Sequence, residues 1–281
     1  MGRIPFRVRT EKNKSKEVEM MFMRLVGVKK IAGLMVIGFL AMGSSQATII
    51  VDLTTVGSSG FVNAGLFQQV TSQPTGTGFI DSFVEIGRNT DVVHAYNTTD
   101  NGTLDNGASN NFNRQIQISD INTVLQGGIL YREFLLDINQ TGADSLLSLD
   151  EVQIFLSTLP NQNVETFNGS GILELASSSL IYRLDAGMNN RVELDFNVNG
   201  VGPGGSGKGD MLMLIPDALF VGADTQFVYL YSRFGENNNN NDGFEEWTVR
   251  EGGKPVIPEP GTVMLISAGI VGLATRRRRL N

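Results

Sequence analysis

The chain has 281 residues, no cysteine, 41% hydrophobic residues and a formal charge of −7. That is enough apolar material for one large core or two small ones, and the absence of cysteine excludes disulfides as the means of holding the fold together. Nine of the 22 basic residues lie in residues 1–47 and four at 276–279, leaving nine against 25 acidic residues in 48–257, a net of −16; such a body repels nucleic acid and anionic surfaces and tolerates divalent cations.

Residues 1–19 are polar and basic without periodicity, and Met1, Met20, Met21 and Met23 are all candidate starts. From Met23 the sequence reads as a secretory signal. Arg24, Lys29 and Lys30 form a positive region, Ile31–Met42 an apolar run, and Ser45-Gln46-Ala47 a small-x-small cleavage pattern. Cleavage is predicted after Ala47.

The texture then becomes β. Strands are predicted at Thr48–Leu53, near Phe61–Val70, and at Gly78–Ile86, Phe112–Ile118, Ile129–Ile138 and Asp150–Ser157. Ser179–Leu184 and Arg191–Val198 read as two strands across a turn at 185–190. In the second, Val192, Leu194, Phe196 and Val198 alternate with Arg191, Glu193, Asp195 and Asn197, the pattern of a sheet with one wet face. Asp210–Ile215, Gln226–Phe234 and Phe244–Val249 complete the set. Residues 89–111 are turn-rich and hold two formal glycosylation sequons, at Asn97 and Asn101. About ten short strands without a long amphipathic helix predict an all-β antiparallel sandwich, jelly-roll-like, over residues 48–257.

Catalytic chemistry has little to work with. The single histidine, His94, has no cysteine to activate, and the many carboxylates show no spacing that singles out a glycosidase pair. Calcium suits the oxygen-rich loops better. Asp137–Gly142 and Asp195–Gly200 each match the first half of an EF-hand loop, but Ser148 and Ser206 stand where the bidentate glutamate belongs; Asx turns at strand ends are the plainer reading. A third set joins Asn237–Asn241 to Asp242, Glu245 and Glu246, with Asp210 as a further carboxylate. The glycine-rich run 202–210 lacks the Ser or Thr and the following helix of a phosphate-binding loop, so a flexible hairpin loop is expected. Trp247, Tyr229, Tyr231 and Phe234 are candidates for an aromatic sugar platform, with a core role as the alternative.

The chain closes with Pro258-Glu259-Pro260, Gly261, an apolar run at 262–275 and Arg276, Arg277, Arg278 and Arg279. Fifteen uncharged residues, 261–275, are short against the roughly 20 that cross a bilayer. The arginines favour the cytoplasmic side. A short span with a basic stop reads as a transient anchor or processing signal.

This tail resembles the PEP-CTERM sorting signal of Gram-negative bacteria. The resemblance implies recognition by an exosortase at or near Pro258-Glu259-Pro260, passage through the inner membrane, and release or attachment at the cell surface or its exopolysaccharide matrix. Residues 134–139, 146–155, 205–211, 227–235 and 242–247 also resemble segments of one PEP-CTERM subgroup, which implies architecture and location, not a reaction. The resulting expectation is a signal peptide (1–47), an acidic β-sandwich body (48–257) and a sorting signal (258–281) with a single hydrophobic helix. The expected function is that of an exported, non-enzymatic surface or matrix protein. The rival readings are a carbohydrate-binding module, calcium-dependent or not, and a glycan hydrolase.

Overall fold

The computed structural model describes residues 47–70, 82–87, 90–99, 102–107, 112–198 and 209–249. Residues 1–46 of the predicted signal peptide, with Ser45 of its cleavage pattern, the sorting tail and most of the glycine-rich run lie outside them.

Among the described residues, fourteen strands form two seven-stranded sheets. The first contains β1 (Ile50–Asp52), β5 (Val93–Tyr96), β6 (Ile116–Gln117), β9 (Leu146–Ser157), β10 (Ser178–Arg183), β11 (Arg191–Asp195) and β13 (Phe227–Phe234). Its order is β1-β11-β9-β13-β5, with β10 beside β9 and β6 beside β13. The second contains β2 (Ser59–Val62), β3 (Gly65–Gln69), β4 (Ser82–Ile86), β7 (Thr123–Gln126), β8 (Ile129–Asp137), β12 (Met211–Pro216) and β14 (Glu245–Thr248). Its order is β2-β3-β12-β8-β14-β4, with β7 beside β8. All pairings are antiparallel except β1 with β11. Among the described residues the only helical elements are two three-residue 3₁₀ turns.

Period-two alternation explains how the sheets meet. Leu147, Leu149, Val152, Ile154 and Leu156 of β9 and Val228, Leu230 and Phe234 of β13 face Phe134, Leu136, Met211, Met213 and Trp247 of the other sheet, in one continuous buried cluster. The Trp247 indole N–H crosses the core to donate to Ser232 Oγ at 3.0 Å. The outer face of the β9 sheet is roofed by the segment 158–177. Leu173 and Leu175 pack there on Tyr96, Phe155, Tyr229 and Tyr231, and Gln153 pins the roof through Gly171 O and Leu173 N.

The structure revises the sequence reading in several places, and the predicted strand Phe112–Ile118 shortens to β6. The predicted strand near Phe61–Val70 is the hairpin β2–β3, reversed at Asn63 and Ala64, which adopt φ of 48° and 71°. The segments at 178–183 and 191–195 do not pair with each other; they lie in tandem along one flank of β9, opposite its second and first halves. Asp185 Oδ1 turns the chain between them by accepting from the N–H groups of Gly187, Met188 and Asn189. β5 and β7 were not foreseen, being four residues each within turn-rich sequence. The sequon residue Asn97 is buried, bound to Leu230 N and Val228 O as a clasp on β13.

Candidate functional site

One end of the body gathers most of the acidic residues singled out by sequence. β8, β13 and β4 end there; β9, β14, β12 and β5 begin there.

A bulge in β9 sets this end. Arg233 stands opposite Glu151 and Phe234 opposite Leu149, so Asp150 is skipped in the pairing. Asp150 accepts from Glu236 N (2.7 Å), Asn237 Nδ2 (2.7 Å) and Ser148 Oγ (2.9 Å), tying down the β13–β14 loop. Glu151, almost fully buried, pairs with Arg183 Nε at 2.8 Å and accepts from Asp185 N at 3.0 Å. Burial pushes its carboxyl above the usual range, and the arginine pulls the other way.

Asp210 and Glu245 converge on the end of β8. Asp210 Oδ2 accepts from Ile138 N (2.9 Å), while Glu245 accepts from Asn139 N (3.0 Å) and Gln140 Nε2 (3.1 Å). Both carboxylates thus satisfy strand-end donors with no ladder partner. Glu245 has no exposed surface, and desolvation raises its pKa well above the ordinary glutamate value, with Asp137 and Asp210 adding repulsion.

Glu246 belongs to a different surface. It lies opposite Asp137 and Glu85 on the neighbouring strands, so three carboxylates stand in a row across the outer face. Burial raises the pKa values of both Glu85 and Glu246, and Glu246 further raises that of Glu85. Asp242 lies elsewhere again, at an open cleft of about 400 Å³ lined by Thr90, Asp91, Asp144 and the run Asn239–Asp242.

The asparagine run lines the cleft and holds its walls together. Asn240 binds Thr90 O and Asp91 O, and Asn241 binds Asp144 O and Thr141 N. Gly235 turns the chain into the loop with φ of +96°, and a Cβ there would stand 2.0 Å from Asp91 O.

The four suggested metal ligands are therefore distributed over three places, with only Asp210 and Glu245 brought together. Among the described residues, no group of three or more His, Asp or Glu side chains is placed to hold a metal ion. The two EF-hand-like stretches are strand ends. Asp195 Oδ1 accepts from Asn197 N in an Asx turn, and Asn197 Nδ2 donates to Gly142 O of the other stretch. The aromatic platform is not present: Tyr229, Tyr231, Phe234 and Trp247 are all buried, the first two under the roof and the others between the sheets.

Sequence reasoning missed the surroundings of His94. Its Nδ1 lies 3.0 Å from Tyr231 Oη, its Nε2 3.8 Å from Asp105 Oδ2, and its ring stacks on Phe167. The alternation in β13 placed Tyr231 on the outer face, but nothing in the sequence located β5 beside it.

Residues 256–279 match the family model described as the PEP-CTERM protein-sorting motif. No curated protein and no solved structure matches the chain. The match spans Pro258-Glu259-Pro260, the apolar run and all four arginines. The chain thus carries a PEP-CTERM sorting motif, which marks an exported protein addressed to an exosortase.

Proposed function

We propose that this chain is a non-enzymatic protein of the cell surface or extracellular matrix. It crosses the inner membrane behind a signal peptide cleaved after Ala47, is cut by an exosortase at Pro258-Glu259-Pro260, and is retained with exopolysaccharide. The observation that carries this reading is the sorting motif at 256–279. The body fits the role of a passive module. Its buried carboxylates at 150, 151, 210 and 245 are engaged with backbone amides or Arg183, a use that favours architecture over chemistry. Jelly-roll topology is supported by strand order. β4, β14, β8 and β12 neighbour one another in one sheet and β5, β13, β9 and β11 in the other, as in a barrel of two Greek keys. The test is cellular: deleting the exosortase gene should leave the unprocessed chain in the inner membrane, whereas unchanged surface delivery would overturn the proposal.

A carbohydrate-binding role is the second reading, favoured by the cleft. Its carboxylates and side-chain amides are the groups that pair with sugar hydroxyls, and its volume of about 400 Å³ is within the range of small-ligand sites. Calcium would enter only as an auxiliary ion among these oxygens. Asp242→Ala and Asp144→Ala variants that still co-sediment with the cell's exopolysaccharide like the parent would remove this reading.

A further inference from the structure

The body is polar along its strands. The acidic cleft occupies one end, and the opposite end carries a protruding, uncharged hairpin. Residues 121–131, which include β7, the turn Gln126-Gly127-Gly128-Ile129 and the start of β8, contain no charged side chain. Pairing of β8 with β12 stops at Tyr131 opposite Pro216, so the last two β7–β8 pairs, Leu125–Leu130 and Gln126–Ile129, extend beyond the neighbouring strand. Leu125, Ile129 and Leu130 are 65%, 50% and 42% exposed. The flanking charges are already occupied. Arg132 is paired with Asp217 at 2.8 Å and donates to Ile118 O and Ile121 O, and Asp120 accepts from Gln117 N. The tip can therefore leave water without taking an unpaired charge with it.

The last strand of the body runs towards this same end. β14 is antiparallel to β8, with Thr248 opposite Leu135, so β14 itself runs towards the Ile129 end of β8. From Leu135 to Ile129 is six residues, about 20 Å along the strand. From Thr248 to Pro258 is ten residues, a reach of at most about 35 Å. With Pro258 at the lipid surface, the tether is long enough for the hairpin tip to touch that surface, with about 15 Å to spare.

We infer that the β7–β8 tip is a lipid-contacting wedge, seated at the interface of the bilayer that holds the C-terminal tail during sorting. Leu125, Ile129 and Leu130 enter the headgroup boundary, and the acidic cleft points away from the membrane. This rests on the reading of residues 262–275 as membrane-embedded before processing. The occupant is lipid rather than a second copy because Leu125, Ile129 and Leu130 share one narrow, uncharged tip at the end of the body towards which β14 runs. With Asp224 in the adjoining loop and an acidic body behind, the wedge favours zwitterionic over anionic lipid.

The chain has no cysteine, so single labels can be placed cleanly. The full chain is reconstituted in phosphatidylcholine vesicles with an environment-sensitive fluorophore at Gln126→Cys, Asp242→Cys or Ala268→Cys, and quenching by nitroxide-bearing lipid is measured. Label 126 is expected to shift to the blue and be quenched, label 242 to remain in water and label 268 to be quenched deeply. Combining Leu125→Ser, Ile129→Ser and Leu130→Ser should lower the tip's partition at least about tenfold. Quenching at 268 without quenching at 126 overturns the wedge and leaves the tail reading intact. Quenching at 126 alone overturns the embedded tail and with it the tethered wedge, and quenching at neither overturns both. Concentration-dependent energy transfer between tips in lipid-free detergent solution would assign the patch to a second copy and likewise overturn the wedge.

Discussion

Glu245→Ala should be among the most damaging single substitutions in the body, while Glu245→Gln should be nearly silent. The carboxyl is fully buried and accepts from Asn139 N at 3.0 Å and Gln140 Nε2 at 3.1 Å. Alanine takes the acceptor from Asn139 N and leaves Gln140 Nε2 with only Asn240 Oδ1, at 3.3 Å, a loss of about 1–3 kcal/mol to which the emptied volume of a fully buried side chain adds. Glutamine keeps one acceptor for Asn139 N. It can also donate to Gln140 Oε1, which has no partner in the parent, so a change within about 1 kcal/mol is expected. The pH dependence separates this account from simple packing. Desolvation raises the folded-state pKa of Glu245 above its unfolded value. The folded state then binds more protons, so stability is highest below the unfolded pKa and is lost as pH rises through the folded one, by up to about 1.4 kcal/mol per pH unit for each such group. Urea unfolding at pH 5 and pH 8 should show the parent losing stability at the higher pH and Glu245→Gln losing less. If Glu245→Gln were as damaging as Glu245→Ala, or if the pH slopes of parent and Glu245→Gln coincided, the reasoning about a protonated, amide-capping carboxyl would be wrong.

Further outcomes are expected elsewhere. Arg183→Ala leaves Glu151 buried without its cation and should cost about 3 kcal/mol in chemical denaturation, more than Arg191→Ala, whose partner Glu193 is partly exposed. Gly235→Ala brings a Cβ to 2.0 Å from Asp91 O at a positive φ, so it should lower the unfolding temperature by several degrees and loosen the cleft loops in hydrogen exchange. If the cleft binds calcium, a millimolar addition should raise the unfolding temperature of the parent but not of Asp91→Asn/Asp242→Asn. No shift in the parent would remove calcium from the account.

Much of the fold was legible because a sheet with one buried face writes its register into alternation, as Arg191–Asp195 does. The doubly buried β9 was read only from Asp150 onward. Its first half, Leu146–Leu149, alternates too briefly, and its bulge breaks the period. The tandem placement of β10 and β11 is a long-range choice that no local signal encodes. At the cleft end, sequence picked carboxylates with structural importance but grouped them by proximity along the chain. Glu245 and Glu246 are adjacent in sequence and therefore face opposite sides of the sheet. Asp210, remote in sequence, joins Glu245 because β12 and β14 flank β8 on either side. The aromatic residues of β13 misled for a related reason. The roof that covers Tyr229 and Tyr231 comes from 158–177, a segment with little regular pattern of its own.

The most direct test of the sorting account is the intact mass of the protein recovered from the cell surface of an exosortase-bearing host. The account expects a chain beginning at Thr48 and ending at or next to Pro258-Glu259-Pro260, lacking residues 261–281. It also expects that substituting the Pro-Glu-Pro triplet by alanines keeps the full tail on a membrane-held form. A surface protein whose mass still includes Arg276–Arg279 would contradict it.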